Sequence, residues 1–427
     1  MAVRETDRRV PLMEFAGSFL LLLGIGLLSL LQSKHLSYGA AVCLSYLVLY
    51  LALYPLHSVR LNPVLTLTDV FLGRVTIMGG MVVMLLQMLG AIAGAFLVAL
   101  ICSTPVFLPA GVEGNSAHVM LAQTVFCTAL AFIHIDLAAE PSSRMPGIAV
   151  ALATYAAYTA TAGLSGYLNP AVAGALTLSN AYRGVTVVPD VVASFVTVPF
   201  LGAAVGWGLF KLTQDNLLMA ELVGSMIFTY NVCCALAGGL NTTNSAISIG
   251  CMAAAIVYTT GWRSGGAINP AISFGTLPGG YNKVRDVALY SAFQCAGGAL
   301  GAVLARHTMG QLGLLNILRG GHTLTDIGML FGFGALLMAA YSFSFGDRLG
   351  RPAGLVVGLV YFAFHMLFTK GVSINVQSIF GIIVSQLLNG YVEDPRNSLV
   401  CLLAPFAGSL TAAALLTLLP TRYQRLP

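Results

Sequence analysis

Four short boxes, each centred on an asparagine, recur along the chain at almost equal spacing. Their asparagines lie 107, 100 and 106 residues apart, and the boxes are Leu61-Asn62-Pro63-Val64, Leu168-Asn169-Pro170-Ala171, Ile268-Asn269-Pro270-Ala271 and Ile374-Asn375-Val376-Gln377. The offset of 207 residues between the first and third boxes recurs between Glu14 and Glu221 and between Gln87 and Gln294. Such self-similarity at a fixed period indicates internal repeats. It predicts two copies of one unit, over residues 1–212 and 213–427, each built from two similar halves.

The composition places these units in a membrane. Hydrophobic residues make up 57% of the chain and charged residues 8%, with a mean hydropathy of +0.86, whereas soluble domains carry about 25% charged residues. Twelve apolar stretches approach the roughly 20 residues that a membrane-spanning helix needs. Six fall in each copy, and their predicted starts lie near Pro11, Ser37, Thr76, Ala117, Met145, Val187, Asn216, Thr243, Val284, His322, Pro352 and Asn397. The predicted fold class is an all-α integral membrane protein.

The charges predict the orientation of the chain. Most of the 20 lysine and arginine residues lie in segments on the side of the N-terminus, and basic residues concentrate on the cytoplasmic side of membrane proteins. Both termini are therefore predicted to be cytoplasmic, in a membrane that the sequence does not identify. Because each half of a copy has three crossings, its two halves are inserted in opposite directions, as in the inverted repeats of transporters and channels.

Each box is predicted to start a short helix that enters the membrane and stops. Roughly ten apolar residues follow it, and at about 1.5 Å per residue they cover half of a hydrocarbon core of about 30 Å. Asparagine is a favoured helix N-cap, and proline suits the first helical position because its missing N–H has no partner to lose there. The predicted pore half-helix boxes comprise Asn62, Pro63, Val64, Asn169, Pro170, Ala171, Asn269, Pro270, Ala271, Asn375, Val376 and Gln377.

The inverted halves should bring two helix N-termini together near the midplane of the membrane in each copy. Non-helical backbone at that depth is tolerated only where it is buried in protein or lines a watery cavity. Two N-termini contribute a partial positive charge of about +0.5 each, which repels cations, and the asparagine amides could donate hydrogen bonds to a passing water or hydroxyl. The pattern favours a path for neutral polar solutes. Four matched boxes weigh against the alternative that each Asn-Pro merely begins an ordinary helix.

Taken jointly, these motifs resemble the aquaporin, or major intrinsic protein, family. The family's first box is very similar to the segment Ser264-Gly265-Gly266-Ala267-Ile268-Asn269-Pro270-Ala271. Its first helix resembles Glu14-x-x-Gly17 and Glu221-x-x-Gly224, and its sixth helix resembles Pro199-Phe200 and Pro405-Phe406. The resemblance implies two aquaporin-like units in tandem, each with six transmembrane helices and two re-entrant half-helices. It also implies that Glu14 and Glu221 are buried structural acids that hold half-helix N–H groups. In the fourth helices the nearest candidates for an equivalent acid are Gln123 and Asp326, and neither fits well.

The resemblance also implies a function. It predicts a passive membrane channel for water or small neutral solutes of the glycerol, ammonia and peroxide class. Expected partners are the lipid bilayer, those solutes, and either a second copy of the chain, giving four aquaporin-like units, or other subunits of a heteromeric membrane complex. No cofactor, metal, nucleic-acid partner or enzymatic activity is expected, because no such motif stands clear of the spans. An ion-coupled transporter would need a titratable cluster beyond Glu14 and Glu221.

The chain departs from the family pattern at the positions that would form its filter. Family channels usually carry an arginine directly after the second box, where this chain has Val172 and Ser378. The filter histidine of water-selective members would fall near Ala157 or Tyr158 in the first copy and near Ala363 in the second, with His365 two positions away. Arg60 stands where the family often has a pore-facing histidine, and it would plug the inner mouth, guard it against cations, or turn to lipid head groups. These departures loosen the expected selectivity and support an alternative function, a non-conducting structural subunit of a larger membrane assembly.

Overall fold

All the regular secondary structure in the described part of the chain is helical. The computed structural model describes residues 9–29, 38–53, 60–102, 116–139, 146–160, 168–185, 189–237, 242–310, 323–345, 353–368, 373–391 and 395–419, and no strand occurs among them. By their internal contacts the residues form two compact units. The first comprises Met1–Tyr158 and Gly163–Phe210, and the second comprises Thr159–Ala162 and Lys211–Pro427.

The first unit contains long helices and two short ones that begin at the boxes. The long helices are α1 (Arg9–Ser29), α2 (Tyr38–Leu53), α4 (Ile77–Ile101), α5 (Ser116–Ala139), α6 (Pro146–Ala160) and the pair α8 (Pro189–Val196) and α9 (Val198–Thr213), which Thr197 separates. The short helices are α3 (Pro63–Phe71) and α7 (Pro170–Tyr182).

The second unit repeats this order. Its long helices are α10 (Leu217–Ala237), α11 (Thr242–Ser264), α13 (Val284–Met309), α14 (Leu324–Phe345), α15 (Ala353–Leu367) and α17 (Pro395–Leu416), and its short helices are α12 (Pro270–Gly275) and α16 (Val376–Leu387). Each unit therefore has six helical crossings and two half-helices.

The predicted all-α integral membrane fold class is confirmed. Among the described residues, nine helical stretches are long and apolar enough to cross a membrane. The remaining three crossings are α2, α6 and α15, with 16, 15 and 15 described residues. All twelve begin within two residues of the starts predicted from the sequence, because apolar runs of a fixed minimum length are a strong sequence signal.

Small residues allow a close helix crossing in each unit. A Cβ added at Gly90 or Gly94 of α4 would run into the backbone carbonyl of Phe15 or Phe19 in α1. In the same way, one added at Gly297 or Gly301 of α13 would run into the carbonyl of Leu222 or Met226 in α10. In lipid, helices associate by close backbone approach rather than by hydrophobic burial. The equivalent glycines of the two units therefore make the same crossing between the first and third helices.

Polar caps start several of the long helices. Thr76 accepts the N–H of Gly79 at the start of α4, and Asn216 accepts two N–H groups at the start of α10. At the start of α14, Thr323 donates its N–H and its hydroxyl to the Asp326 carboxylate, and its hydroxyl accepts the N–H of Asp326 in return. This reciprocal pair is a capping box. Asp326, a candidate for the fourth-helix acid, thus serves as a helix cap.

Candidate functional site

All four half-helices begin with an asparagine cap. The cap residue has extended backbone, and its Oδ1 accepts a backbone N–H from the first turn at 2.9 Å in α3, 3.0 Å in α7, 3.1 Å in α12 and 3.2 Å in α16. The cap satisfies a donor that has no partner within its own helix. Proline follows the cap in α3, α7 and α12, whereas Val376 takes its place in α16.

Three residues that precede the caps have a left-handed backbone. The φ angle is 54° at Leu61, 48° at Leu168 and 34° at Ile268. A non-glycine residue in this region costs on the order of 1–3 kcal/mol and persists only where its surroundings hold it there. Each of these residues offers its carbonyl to the asparagine of the opposite half-helix, so the strain occurs where the two half-helices of a unit meet.

In the first unit the two asparagines bind each other's loops. Asn62 Nδ2 donates to the carbonyl of Leu168 at 3.0 Å, and Asn169 Nδ2 donates to the carbonyl of Leu61 at 2.8 Å. The exchange is reciprocal, and all four residues are buried. The N-termini of α3 and α7 therefore meet tip to tip, each asparagine capping its own helix and bracing the other.

The second unit makes the same exchange with one addition. Asn375 Nδ2 donates to the carbonyl of Ile268 at 2.8 Å, and Asn269 Nδ2 donates to the carbonyl of Ile374 at 3.4 Å. Val376 retains the N–H that a proline would lack, and it donates this group to Asn269 Oδ1 at 3.3 Å. The substitution in the fourth box thus adds a third hydrogen bond between the tips of α12 and α16.

A tyrosine hydroxyl lies against each asparagine pair. Tyr46 of α2 accepts a hydrogen bond from Asn169 Nδ2 at 2.5 Å. Tyr361 of α15 accepts one from Asn375 Nδ2 at 3.0 Å and one from Asn269 Nδ2 at 3.4 Å. Both rings are fully buried. Sequence reasoning did not single out these tyrosines.

Glu14 anchors the loop that leads into α3. Its carboxylate accepts the backbone N–H groups of Arg60 at 2.9 Å and Leu61 at 2.8 Å, and the Nε2 of Gln87 at 2.9 Å. Gln87 also exchanges hydrogen bonds with Thr66 of the half-helix. Three donors around one buried carboxylate fix the approach of the loop to the helix start, because buried backbone N–H groups require partners.

Glu221 holds the equivalent loop of the second unit. It accepts the N–H of Ile268 at 2.9 Å, the Nε2 of Gln294 at 2.7 Å and the hydroxyl of Ser264 at 2.5 Å. Gln294 exchanges hydrogen bonds with Ser273 of α12, as Gln87 does with its half-helix. The shared offset of 207 residues signalled that the two glutamines were equivalent, but it did not identify their partners.

A charged cluster next to the first box distinguishes the first unit from the second. Arg60 Nε donates to the carboxylate of Asp69, which also lies 3.4 Å from Arg74 Nη1 and 3.4 Å from His134 Nε2. The Arg60 side chain is only 9% exposed, so it turns into the protein. At the offset of 207, the second unit carries Ala267, Thr276, Tyr281 and Tyr341 in place of Arg60, Asp69, Arg74 and His134.

The other filter candidates lie on four different helices. Val172 is buried in the first turn of α7, and the Ser378 hydroxyl in α16 lies 3.0 Å from that of Thr229. His365 is buried in α15 with its ring edge-on to Phe364, and Tyr158 is half-buried near the end of α6.

Gln377 of the fourth box takes a different direction from the asparagine before it. Its Oε1 accepts the hydroxyl of Ser225 in α10 at 2.9 Å, and its backbone lies against Gly298 of α13. The side chain therefore extends towards α10 from the tip of α16. Within the described residues, no cluster of three or more histidine, cysteine, aspartate or glutamate side chains is arranged to hold a metal ion.

Comparison with known proteins shows a similarity to one family. Residues 211–416 match the family model described as Major intrinsic protein. A probable aquaporin PIP2-6 of Oryza sativa subsp. japonica is 27% identical over 223 residues, 46% of this chain and 78% of its own length. An aquaporin PIP-type of Atriplex canescens is 28% identical over 222 residues, again 46% of this chain and 77% of its own length. The second unit therefore matches the major intrinsic protein family over residues 211–416.

Proposed function

We propose that the protein is a passive channel for water and small neutral solutes. The observation that carries the proposal is the meeting of two asparagine-capped helix N-termini inside each unit. The amides at this meeting point are donors, and the helix ends around them carry partial positive charge. Such a site favours a solute that accepts hydrogen bonds and disfavours a cation. Similar proteins are named aquaporins, which makes water the first solute to test.

The second unit has buried polar atoms that water would satisfy. Among the described residues, His365 Nε2 and Gln377 Nε2 are buried without a protein partner. Buried polar atoms of native proteins are bonded either to protein or to ordered water. These two atoms support a hydrated interior near α15 and α16.

The filter positions support a solute range wider than water. Val172 and Ser378 stand where the family resemblance places an arginine, so no guanidinium is fixed at that point in either unit. A small apolar or hydroxyl side chain occupies less of the path and supplies no charge. We therefore include glycerol, ammonia and peroxide among the solutes to test.

Stopped-flow swelling of proteoliposomes that contain the full chain tests the proposal. Water and glycerol permeability should exceed that of empty vesicles. Val172→Trp and Ser378→Trp should each lower it, because they place a bulky ring in the first turn of α7 and of α16. Leu201→Trp is the matched control, since Leu201 is exposed on the surface of α9. Permeability equal to that of empty vesicles for every version would contradict the channel.

One observation favours a second candidate, a non-conducting structural subunit of a membrane assembly. Three of the four asparagine amides that should receive a solute, those of Asn169, Asn269 and Asn375, already donate to tyrosine hydroxyls. A structural subunit would cause no swelling of the vesicles, although it would form a defined assembly. For the channel we propose a homodimer with four aquaporin-like units and with both termini in the cytoplasm. Light scattering of the purified complex, together with protease protection of terminal tags in vesicles, tests these proposals.

A further inference from the structure

The amide of Asn169, at the centre of the first unit, is fully used within the protein. A side-chain amide nitrogen has two N–H donors. Asn169 directs one to the carbonyl of Leu61 at 2.8 Å and the other to the hydroxyl of Tyr46 at 2.5 Å. No proton of this amide is left for a solute while Tyr46 keeps its position.

The same accounting holds in the second unit. Asn375 donates to the carbonyl of Ile268 at 2.8 Å and to the hydroxyl of Tyr361 at 3.0 Å. Asn269 donates to the carbonyl of Ile374 and to the same hydroxyl, each at 3.4 Å. One tyrosine oxygen thus accepts a hydrogen bond from both asparagines of the unit, as an oxygen atom of a passing solute would.

The two tyrosines come from different halves of their units. Tyr46 lies on α2, the second crossing of the first half, and Tyr361 lies on α15, the second crossing of the second half. An offset of 207 from Tyr46 leads to Ala253, so the second unit has no tyrosine at the position equivalent to Tyr46. Because the halves are inverted repeats, helices at these two positions approach the asparagine pair from related directions. The offset of 206 between the second and fourth boxes leads from Tyr361 to Tyr155, so the hydroxyls at the two centres come from positions that are not equivalent in the repeat.

We propose that Tyr46 and Tyr361 determine permeation through their units. Each hydroxyl occupies the place in which a solute would accept hydrogen bonds from the asparagines, and a solute passes only when the hydroxyl gives up that place. The ring fixes the hydroxyl from one side, and in the second unit Phe228 packs against it with ring centroids 5.1 Å apart. The inference rests on the proposed channel function and adds the residue that closes each path.

The arrangement selects for solutes that can replace a hydroxyl. Water, glycerol and other solutes with an oxygen acceptor offer the amides an equivalent hydrogen bond, so the exchange costs little. A solute without an acceptor would leave two buried N–H groups unpaired, which is costly in a desolvated site. The tyrosines therefore act on which solute passes as well as on how often the path opens.

The test compares phenylalanine and alanine variants of the full chain in proteoliposomes. Tyr46→Phe and Tyr361→Phe keep the ring and remove the hydroxyl, while Tyr46→Ala and Tyr361→Ala remove both. Tyr230→Phe is the matched control, because its buried hydroxyl bonds to Thr308 of α13 at 2.9 Å and not to a box asparagine. Size-exclusion profiles and melting temperatures establish that each variant is folded.

The double phenylalanine variant should raise water permeability about tenfold, which is the change that one hydrogen bond of ordinary net strength produces in an equilibrium. The alanine pair should raise it at least as much, and Tyr230→Phe should leave it unchanged.

If wild type conducts and all the folded variants match it, the tyrosine proposal is overturned and the channel stands. If alanine raises permeability and phenylalanine does not, the hydroxyl has no part in closure and the proposal is overturned. If neither wild type nor any folded variant exceeds empty vesicles, the channel and the tyrosine proposal both fail.

Discussion

Replacing Arg60 by alanine should destabilise the protein far more than replacing Arg74, although both arginines contact the same carboxylate. The Arg60 side chain is 9% exposed and Asp69 is 5% exposed, whereas Arg74 is 34% exposed and lies 3.4 Å from the carboxylate. Arg60→Ala leaves the backbone N–H of residue 60 in place, so its hydrogen bond to Glu14 is retained. Each substitution also removes one further contact, of Arg60 Nη1 with Glu14 at 3.9 Å and of Arg74 Nη2 with the carbonyl of Ala138 at 3.0 Å, and the main difference between the two arginines is burial.

The expected magnitudes follow from the burial of each partner. Removing one member of a buried ion pair costs about 3–5 kcal/mol, because the other charge is left desolvated. Asp69 keeps His134 Nε2 at 3.4 Å and Arg74 nearby, so we expect the lower end, about 3 kcal/mol, for Arg60→Ala. An exposed pair contributes about 0–1 kcal/mol, which is the loss expected for Arg74→Ala.

The assay is a double-mutant cycle on the free energy of unfolding. Arg60→Ala, Asp69→Asn and the double variant are unfolded in mixed detergent micelles, and helix content is followed by circular dichroism. The double variant should lose less than the sum of the single losses, with a coupling energy of about 2 kcal/mol, within the range for residues in contact. Equal losses for Arg60→Ala and Arg74→Ala, or a coupling energy near zero, would refute the reasoning from burial.

Three further predictions follow from single contacts. Glu221→Gln should cost about 2–4 kcal/mol in unfolding free energy, because it turns an amide N–H towards donors that now bind a carboxylate; a loss below about 1 kcal/mol would contradict this. Gly90→Val should lower the yield of monodisperse protein, since its Cβ would overlap the carbonyl of Phe15, while Gly208→Val, with open space around it, should not. Val376→Pro should change the melting temperature little, because the lost hydrogen bond is long at 3.3 Å and proline suits the first helical position; a large fall would show that this bond is essential.

The fold could be predicted largely because membrane crossings and helix starts are local properties of the sequence. The apolar runs located all twelve crossings, and the asparagine followed by proline in three boxes located the half-helix starts. Gly90 and Gly94 could be assigned to close packing for a related reason, since small residues at a spacing of four lie on one helix face. Each of these signals is complete within about 25 residues.

The interior of the site could not be predicted, because it depends on partners that are distant in sequence. Tyr46 and Asn169 are 123 residues apart, and His134 and Asp69 are 65 apart. A tyrosine in an apolar helix is most often a packing residue, and nothing in the local pattern directs its hydroxyl towards a box. The acid and glutamine of each unit carried a signal, the shared offset of 207 residues, but the hydrogen bonds that join them required coordinates.

The two units share the hydrogen bonds that hold their half-helices, and they differ in the charged cluster next to the first box. Since the Arg60 side chain turns into the protein, we propose that it either plugs the mouth of the first unit or guards that mouth against cations. Asp69 already balances the positive charge of Arg60, which weakens the repulsion of cations. The volume of the side chain, in contrast, blocks the mouth whatever its charge. We therefore expect Arg60→Ala to raise water permeability without raising potassium flux, and Arg60→Met, which keeps length and removes charge, to resemble wild type. Both fluxes can be measured in the same proteoliposomes, by light scattering and by a potassium-sensitive dye. Potassium flux that rises in both variants would instead establish that the positive charge of Arg60 excludes cations, even beside a buried carboxylate.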